Sequence, residues 1–135
     1  MIDIKIFNDS TTKFLPKKKI SDAVNRVLKD NKVKKASVNV VLVNDDIIKR
    51  MNSQYLKHDY TTDVISFNID SEPALLGEIY ISIDTAKKQA EQFKVSLTNE
   101  LLRLSVHGTL HLIGYDDSTE TERNEMHNLE NKYIG

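Results

Sequence analysis

Ile2, Ile4 and Ile6 alternate with Asp3 and Lys5 at the start of the chain, the period-two pattern of a strand with one buried face. After Pro16 the period changes: Ile20, Ala23, Val24, Val27 and Leu28 recur at three- and four-residue steps, which predicts a helix with the proline at its start. Residues 37–43 (SVNVVLV) are rich in β-branched side chains and read as a second strand. Asn44 is a good N-cap for a short helix that turns Ile47, Ile48, Met51 and Tyr55 inward. Residues 63–67 (DVISF) and 77–83 (GEIYISI) read as two more strands joined through Pro73, and Asp84 is placed to cap a helix of mixed charge running to about Phe93. Ser96 or Thr98 opens the next helix, NELLRLSVHGTLHLI, which is apolar enough to be mostly buried and meets a stop at Gly114. Thr119 and Glu122 make a capping-box pair ahead of a last helix with Met126, Leu129 and Tyr133 on one face. The order βαβαββααα predicts an α+β fold: one domain over residues 1–135, a small mixed four-stranded sheet packed with about five helices.

Composition narrows the function classes. With 39% hydrophobic and 29% charged residues the chain reads as an ordinary soluble protein, and no apolar run approaches the roughly 20 residues of a membrane span. MIDIKIFND lacks the basic start and apolar middle of a signal peptide, so a cytoplasmic location is expected. Zero cysteine excludes disulfides, thiolate metal sites and cysteine nucleophiles, and any metal must be held by nitrogen and oxygen. The net charge of −1 hides a division: residues 1–60 hold 13 Lys/Arg against 7 Asp/Glu, residues 61–135 hold 6 against 13. Lys13, Lys17, Lys18, Lys19, Lys32, Lys34 and Lys35 make the first half a candidate surface for a polyanion, or simply a solvated face around the first helix.

The stretch HGTLHLIGYDD, residues 107–117, carries the chemistry. Residues four apart on a helix share a face, so His107 and His111 can point both imidazoles at one ion. A helix stop at Gly114 lets the chain return and bring Asp117 to a third position, and three protein ligands with one open position are the mark of a catalytic metal site. Zinc suits such a set; nickel, manganese or iron are chemically admissible. The alternative is that both histidines pack and bond to backbone while Asp116 and Asp117 charge the start of the last helix. Gly108 stands where H-E-x-x-H proteases keep their glutamate base, which speaks against peptide hydrolysis.

HGTLHLIGYD (107–116), TDVISF (62–67) and GEIYIS (77–82) together resemble the YbeY family of bacterial rRNA maturation factors and endoribonucleases, in the family's order and spacing. The resemblance implies a zincin-like metal helix and a single-strand-specific, metal-dependent endoribonuclease. Its work would be 3′-end maturation of small-subunit rRNA and ribosome quality control, with RNA, ribosomal proteins or an assembly GTPase as partners. It also implies one zinc ion, with nickel possible, on His107, His111 and Asp117, the last standing where the family has a third histidine. Leu56 occupies the place of a family arginine thought to hold phosphate, so Lys57 or His58 become candidate substrate contacts, although lysine lacks arginine's bidentate fork. Asp63 is a candidate acceptor behind a ligand histidine, or only a strand start. His127 is expected to be structural or exposed. Lys17, Lys18, Lys19, Lys34 and Lys35 are candidates for guiding RNA. The rival reading is a non-catalytic ribosome assembly factor in which the metal stiffens the fold.

Overall fold

The computed structural model describes residues 1–56 and 62–134. Nine elements follow in chain order: β1 (Ile2–Asn8), α1 (Lys17–Asp30), β2 (Ala36–Val43), α2 (Asp45–Leu56), β3 (Val64–Asp70), β4 (Leu75–Ser82), α3 (Ile83–Phe93), α4 (Leu97–Leu112) and α5 (Glu120–Ile134). The sheet order is β1-β2-β4-β3. β1, β2 and β4 run parallel, whereas β3 pairs antiparallel with β4 and forms one edge. This is the α+β architecture that the alternation of periods predicts.

Strand faces divide the core in two. Val38, Val40 and Leu42 of β2 and Ile79 and Ile81 of β4 point to one face, where Ile20, Val24 and Leu28 of α1 and Leu101 and Leu104 of α4 cover them. Val41 and Val43 point the other way and meet Ile48 of α2 and Ile65 of β3. Removing each such Leu or Ile from water is worth about 1.5–3 kcal/mol, so both layers are needed to fix the sheet. A smaller cluster of Ala23, Val27, Val106, Leu110, Met126 and Tyr133 seats α5 on α1 and α4.

Two helix starts differ from expectation. Ser82, not Asp84, caps α3: its side chain accepts from the N–H of Thr85. Asp84 lies one residue inside the helix and accepts instead from the Asp45 N–H at 2.8 Å and from Asn44 Nδ2. Asn44 does precede α2, but its Oδ1 accepts from the Thr11 N–H at 3.0 Å. The amide and the acid that read as caps instead tie together the loop after β1, the start of α2 and the start of α3. Ser96 is the cap of α4, accepting from Asn99 N–H, and Thr119 and Glu122 bond reciprocally as a capping box at 3.1 and 3.0 Å. β3 also runs three residues beyond the predicted end, because Asn68 still pairs with Gly77. The side chain of Tyr55 lies outside the described residues.

Close approach of α4 to the sheet rests on two glycines. A Cβ at Gly77 of β4 would stand 2.7 Å from Leu112 Cδ1, and one at Gly108 of α4 would stand 2.7 Å from Ile79 Cγ2. Side chains of β3 complete the seam: Ser66 Oγ donates to the Gly108 carbonyl at 3.0 Å, and Asn68 Nδ2 to the Leu112 carbonyl at 3.1 Å. Among the described residues no helix is long and apolar enough to cross a membrane.

Candidate metal centre

α4 carries His107 and His111 one turn apart on the side that looks along the β3 edge, with Nε2 atoms 3.1 Å from each other. The chain then reverses. Ile113 ends the helix, Gly114 takes φ +105°, the Gly114 N–H bonds to the His111 carbonyl at 3.1 Å and the Tyr115 N–H to the Leu110 carbonyl at 3.0 Å. These two bonds form a Schellman stop, which needs a residue tolerant of positive φ at this place. Of the two acids that follow, Asp116 holds the turn: its Oδ1 accepts from the Asp117 N–H at 2.9 Å and from Ser118 Oγ at 3.2 Å. Asp117 is thereby aimed back, and its Oδ2 lies 3.5 Å from Nε2 of both histidines.

These three atoms fit a metal ion. Tetrahedral ligands held at roughly 2.0–2.1 Å from zinc stand roughly 3.3–3.4 Å apart, against 3.1, 3.5 and 3.5 Å here. The donor set of two imidazoles and a carboxylate suits zinc or another divalent transition ion, and the group could hold such an ion. It opens to solvent through a cleft of about 500 Å³ walled by Thr62, Asp63, Val64, Ile65 and Ser66, so a fourth position is accessible.

Behind the histidines lies a buried polar chain that the sequence reading missed. His107 Nδ1 is 2.7 Å from Glu130 Oε2, and the Glu130 side chain is 1% exposed. Arg103 donates from Nη1 to Glu130 at 3.1 Å and from Nε and Nη2 to Glu100 at 2.8 and 2.6 Å, and Gln89 donates to Glu100 at 2.6 Å. Burial pushes the Glu130 carboxyl up, but the bonds and charges of His107 and Arg103 outweigh it, and the group ends below its ordinary value. The hydrogen bonds that Arg103 donates to Glu100 raise its guanidinium further above the ordinary value than burial lowers it. A clue was available: Met126, Glu130 and Tyr133 fall at i, i+4 and i+7, so a carboxylate sits on the face that must be buried, where carboxylates almost never stay unpaired.

The other candidates disperse. Asp63 lines the cleft and its carbonyl accepts from the Ser82 N–H at 2.9 Å; among the described residues the carboxylate that bonds His107 from behind is Glu130. The His127 side chain is 62% exposed and only its Nδ1 approaches Glu130, at 3.3 Å. Lys57 and His58 lie outside the described residues. Lys17, Lys18 and Lys19 open α1, with Lys18 paired to Asp22 at 2.9 Å. Lys34 and Lys35 follow its far end, roughly 21 Å away at 1.5 Å per residue. There, with Lys32, Asn68 and Ser71, they line a groove of about 750 Å³ that meets the C-terminal end of α4 at Leu112–Gly114.

Known proteins resemble the chain throughout its length. The family model described as Endoribonuclease YbeY matches residues 4–135. An endoribonuclease YbeY of Chloroherpeton thalassium is 39% identical over 129 residues, covering 96% of this chain and 92% of that protein. The one of Chlorobium phaeovibrioides is 35% identical over 127 residues, covering 94% and 86%. A solution structure of a Thermotoga maritima protein superposes with a TM-score of 0.65 at 30% identity, covering 97% of this chain and 86% of that one.

Proposed function

The chain belongs to the endoribonuclease YbeY family, and from that premise we propose that it is a zinc-dependent endoribonuclease that cuts single-stranded RNA during 3′-end maturation of small-subunit rRNA in the cytoplasm. The observation that carries the metal dependence is the convergence of His107 Nε2, His111 Nε2 and Asp117 Oδ2 within 3.1–3.5 Å at the floor of an open cleft. Bound there, a divalent ion supplies a Lewis acid for water activation and for the charge that develops on a phosphodiester.

The chain's own residues do the rest. The β3 edge and residues 62–66 form the wall against which a substrate lies. Asp63 is the further carboxylate on that wall, and we assign it the role of proton acceptor. An RNA strand leaving the cleft along the seam of β3 and α4 reaches Lys34 and Lys35, which offset phosphate charge; Lys17, Lys18 and Lys19 open the opposite end of α1, where a longer strand would meet them. Lys57 or His58 remains our assignment for the phosphate nearest the ion. The partners that follow from this reading are the small ribosomal subunit, its proteins and an assembly GTPase.

The test compares one RNA sequence as a single strand and as a duplex, with purified protein before and after chelation and after zinc is restored. The expected result is cleavage of the single strand alone, lost on chelation and regained with zinc. Chelator-resistant cleavage, or equal cutting of the duplex, contradicts the reading.

A further inference from the structure

We propose that Glu130 is the positioning residue of the metal centre. By accepting the Nδ1 proton of His107 it holds that ring in the tautomer whose Nε2 lone pair faces His111 and Asp117. The proposal rests on the metal-centre reading above and adds to it a residue from a different helix.

The argument begins at Arg103. A guanidinium has only donors and keeps its charge, and this one is divided between Glu100 and Glu130. Glu130, 1% exposed and bonded through Oε1 to that cation, is ionised, and an ionised carboxylate can only accept. Its second oxygen stands 2.7 Å from His107 Nδ1. The proton of the neutral imidazole therefore resides on Nδ1, which leaves the lone pair on Nε2. That is the atom 3.1 Å from His111 Nε2 and 3.5 Å from Asp117 Oδ2. A ligand histidine braced by a carboxylate in this way is both oriented and made more basic.

Glu130 lies on α5, which docks through Met126 and Tyr133. Packing of the last helix thus delivers the group that presets the first ligand on α4. His111 is treated differently: among the described residues no carboxylate bonds its Nδ1, and its contacts are to His107 and Asp117. Among the described residues, His107 is the one of the pair that a carboxylate braces.

Glu130→Gln tests this at almost constant volume. Arg103 cannot accept a hydrogen bond, so it takes the amide oxygen and turns the amide NH₂ toward His107. Nδ1 must then accept, and the ring proton moves to Nε2, where it blocks ligation. Two-bond proton–nitrogen NMR of the histidine rings, at a pH where imidazole is neutral, is expected to show Nδ1–H for His107 in the wild type and Nε2–H in the variant. Zinc affinity measured against a competing chelator is expected to fall by about 10–100-fold. If the Gln variant does not fold, Glu130→Ala leaves Arg103 held by Glu100, and both tautomers and the same loss of affinity are expected. Nε2–H in the wild type, or a folded variant that binds zinc as tightly as the wild type does, overturns the proposal. A wild-type chain that takes up no zinc overturns instead the metal reading on which the proposal stands.

Discussion

Gly108 lies against β4 so closely that a Cβ there would stand 2.7 Å from Ile79 Cγ2 and 3.0 Å from Ser66 Oγ. This contact explains why the residue after His107 has no side chain. The space that a zinc protease gives to a glutamate base is filled here by the sheet.

Gly108→Ala is therefore expected to destabilise the chain. Alanine gains about 1 kcal/mol of helix propensity, but overpacking costs about 1–3 kcal/mol, and Ile79, fully buried and β-branched, has little freedom to yield. Urea denaturation should show a net loss of about 1 kcal/mol, and Gly108→Glu should not fold. An alanine variant more stable than the wild type would contradict the packing account.

Arg103→Leu leaves Glu100 and Glu130, each 1% exposed in its side chain, without their shared cation. Breaking a buried pair from one side costs about 3–5 kcal/mol. A drop of that size in unfolding free energy is expected, far more than Lys18→Ala, which removes an exposed pair with Asp22 worth under about 1 kcal/mol.

Burial, together with the bond its hydroxyl donates to Asp30 at 2.9 Å, pushes Tyr133 up to about 12 from its ordinary value of 10. The folded pKa lies above the unfolded one, so the stabilisation is complete below pH 10 and is lost as pH rises toward 12. Tyr133→Phe should flatten the decline in melting temperature over that window. An unchanged decline would show that other groups cause it.

Asp63→Asn should keep the metal and slow cleavage. Loss of a proton acceptor costs about 10²–10⁴-fold, to be seen in kcat with little change in KM. A variant of full activity would remove Asp63 from the chemistry and leave it as part of the wall.

Much of this was legible in the chain. The isoleucine alternation of β1, the 3–4 spacing of α1 and the Thr119–Glu122 box each specify an element by local physics, and each formed where its period placed it. The grouping of His107, His111 and Asp117 was legible because the two histidines share one helix face and the aspartate follows a glycine stop, so few residues separate them. Glu130 was not, since the spacing that buries it on α5 does not say that it meets His107, 23 residues upstream. Asp84 misled for the same reason: an acid near a helix start looks like a cap, whereas its partners Asn44 and Asp45 come from another element. The lysines of the first half read as one basic face in the sequence, but α1 separates them to its two ends.

The most direct measurement is the zinc content of purified wild-type, His111→Ala and Asp117→Ala chains, each assayed on a single-stranded RNA. About one zinc per wild-type chain, lost from both variants together with cleavage, is the predicted result. Zinc retained by the wild type without any cleavage would contradict the enzymatic account and favour an assembly factor stiffened by its metal. A wild-type chain without metal would contradict the centre itself.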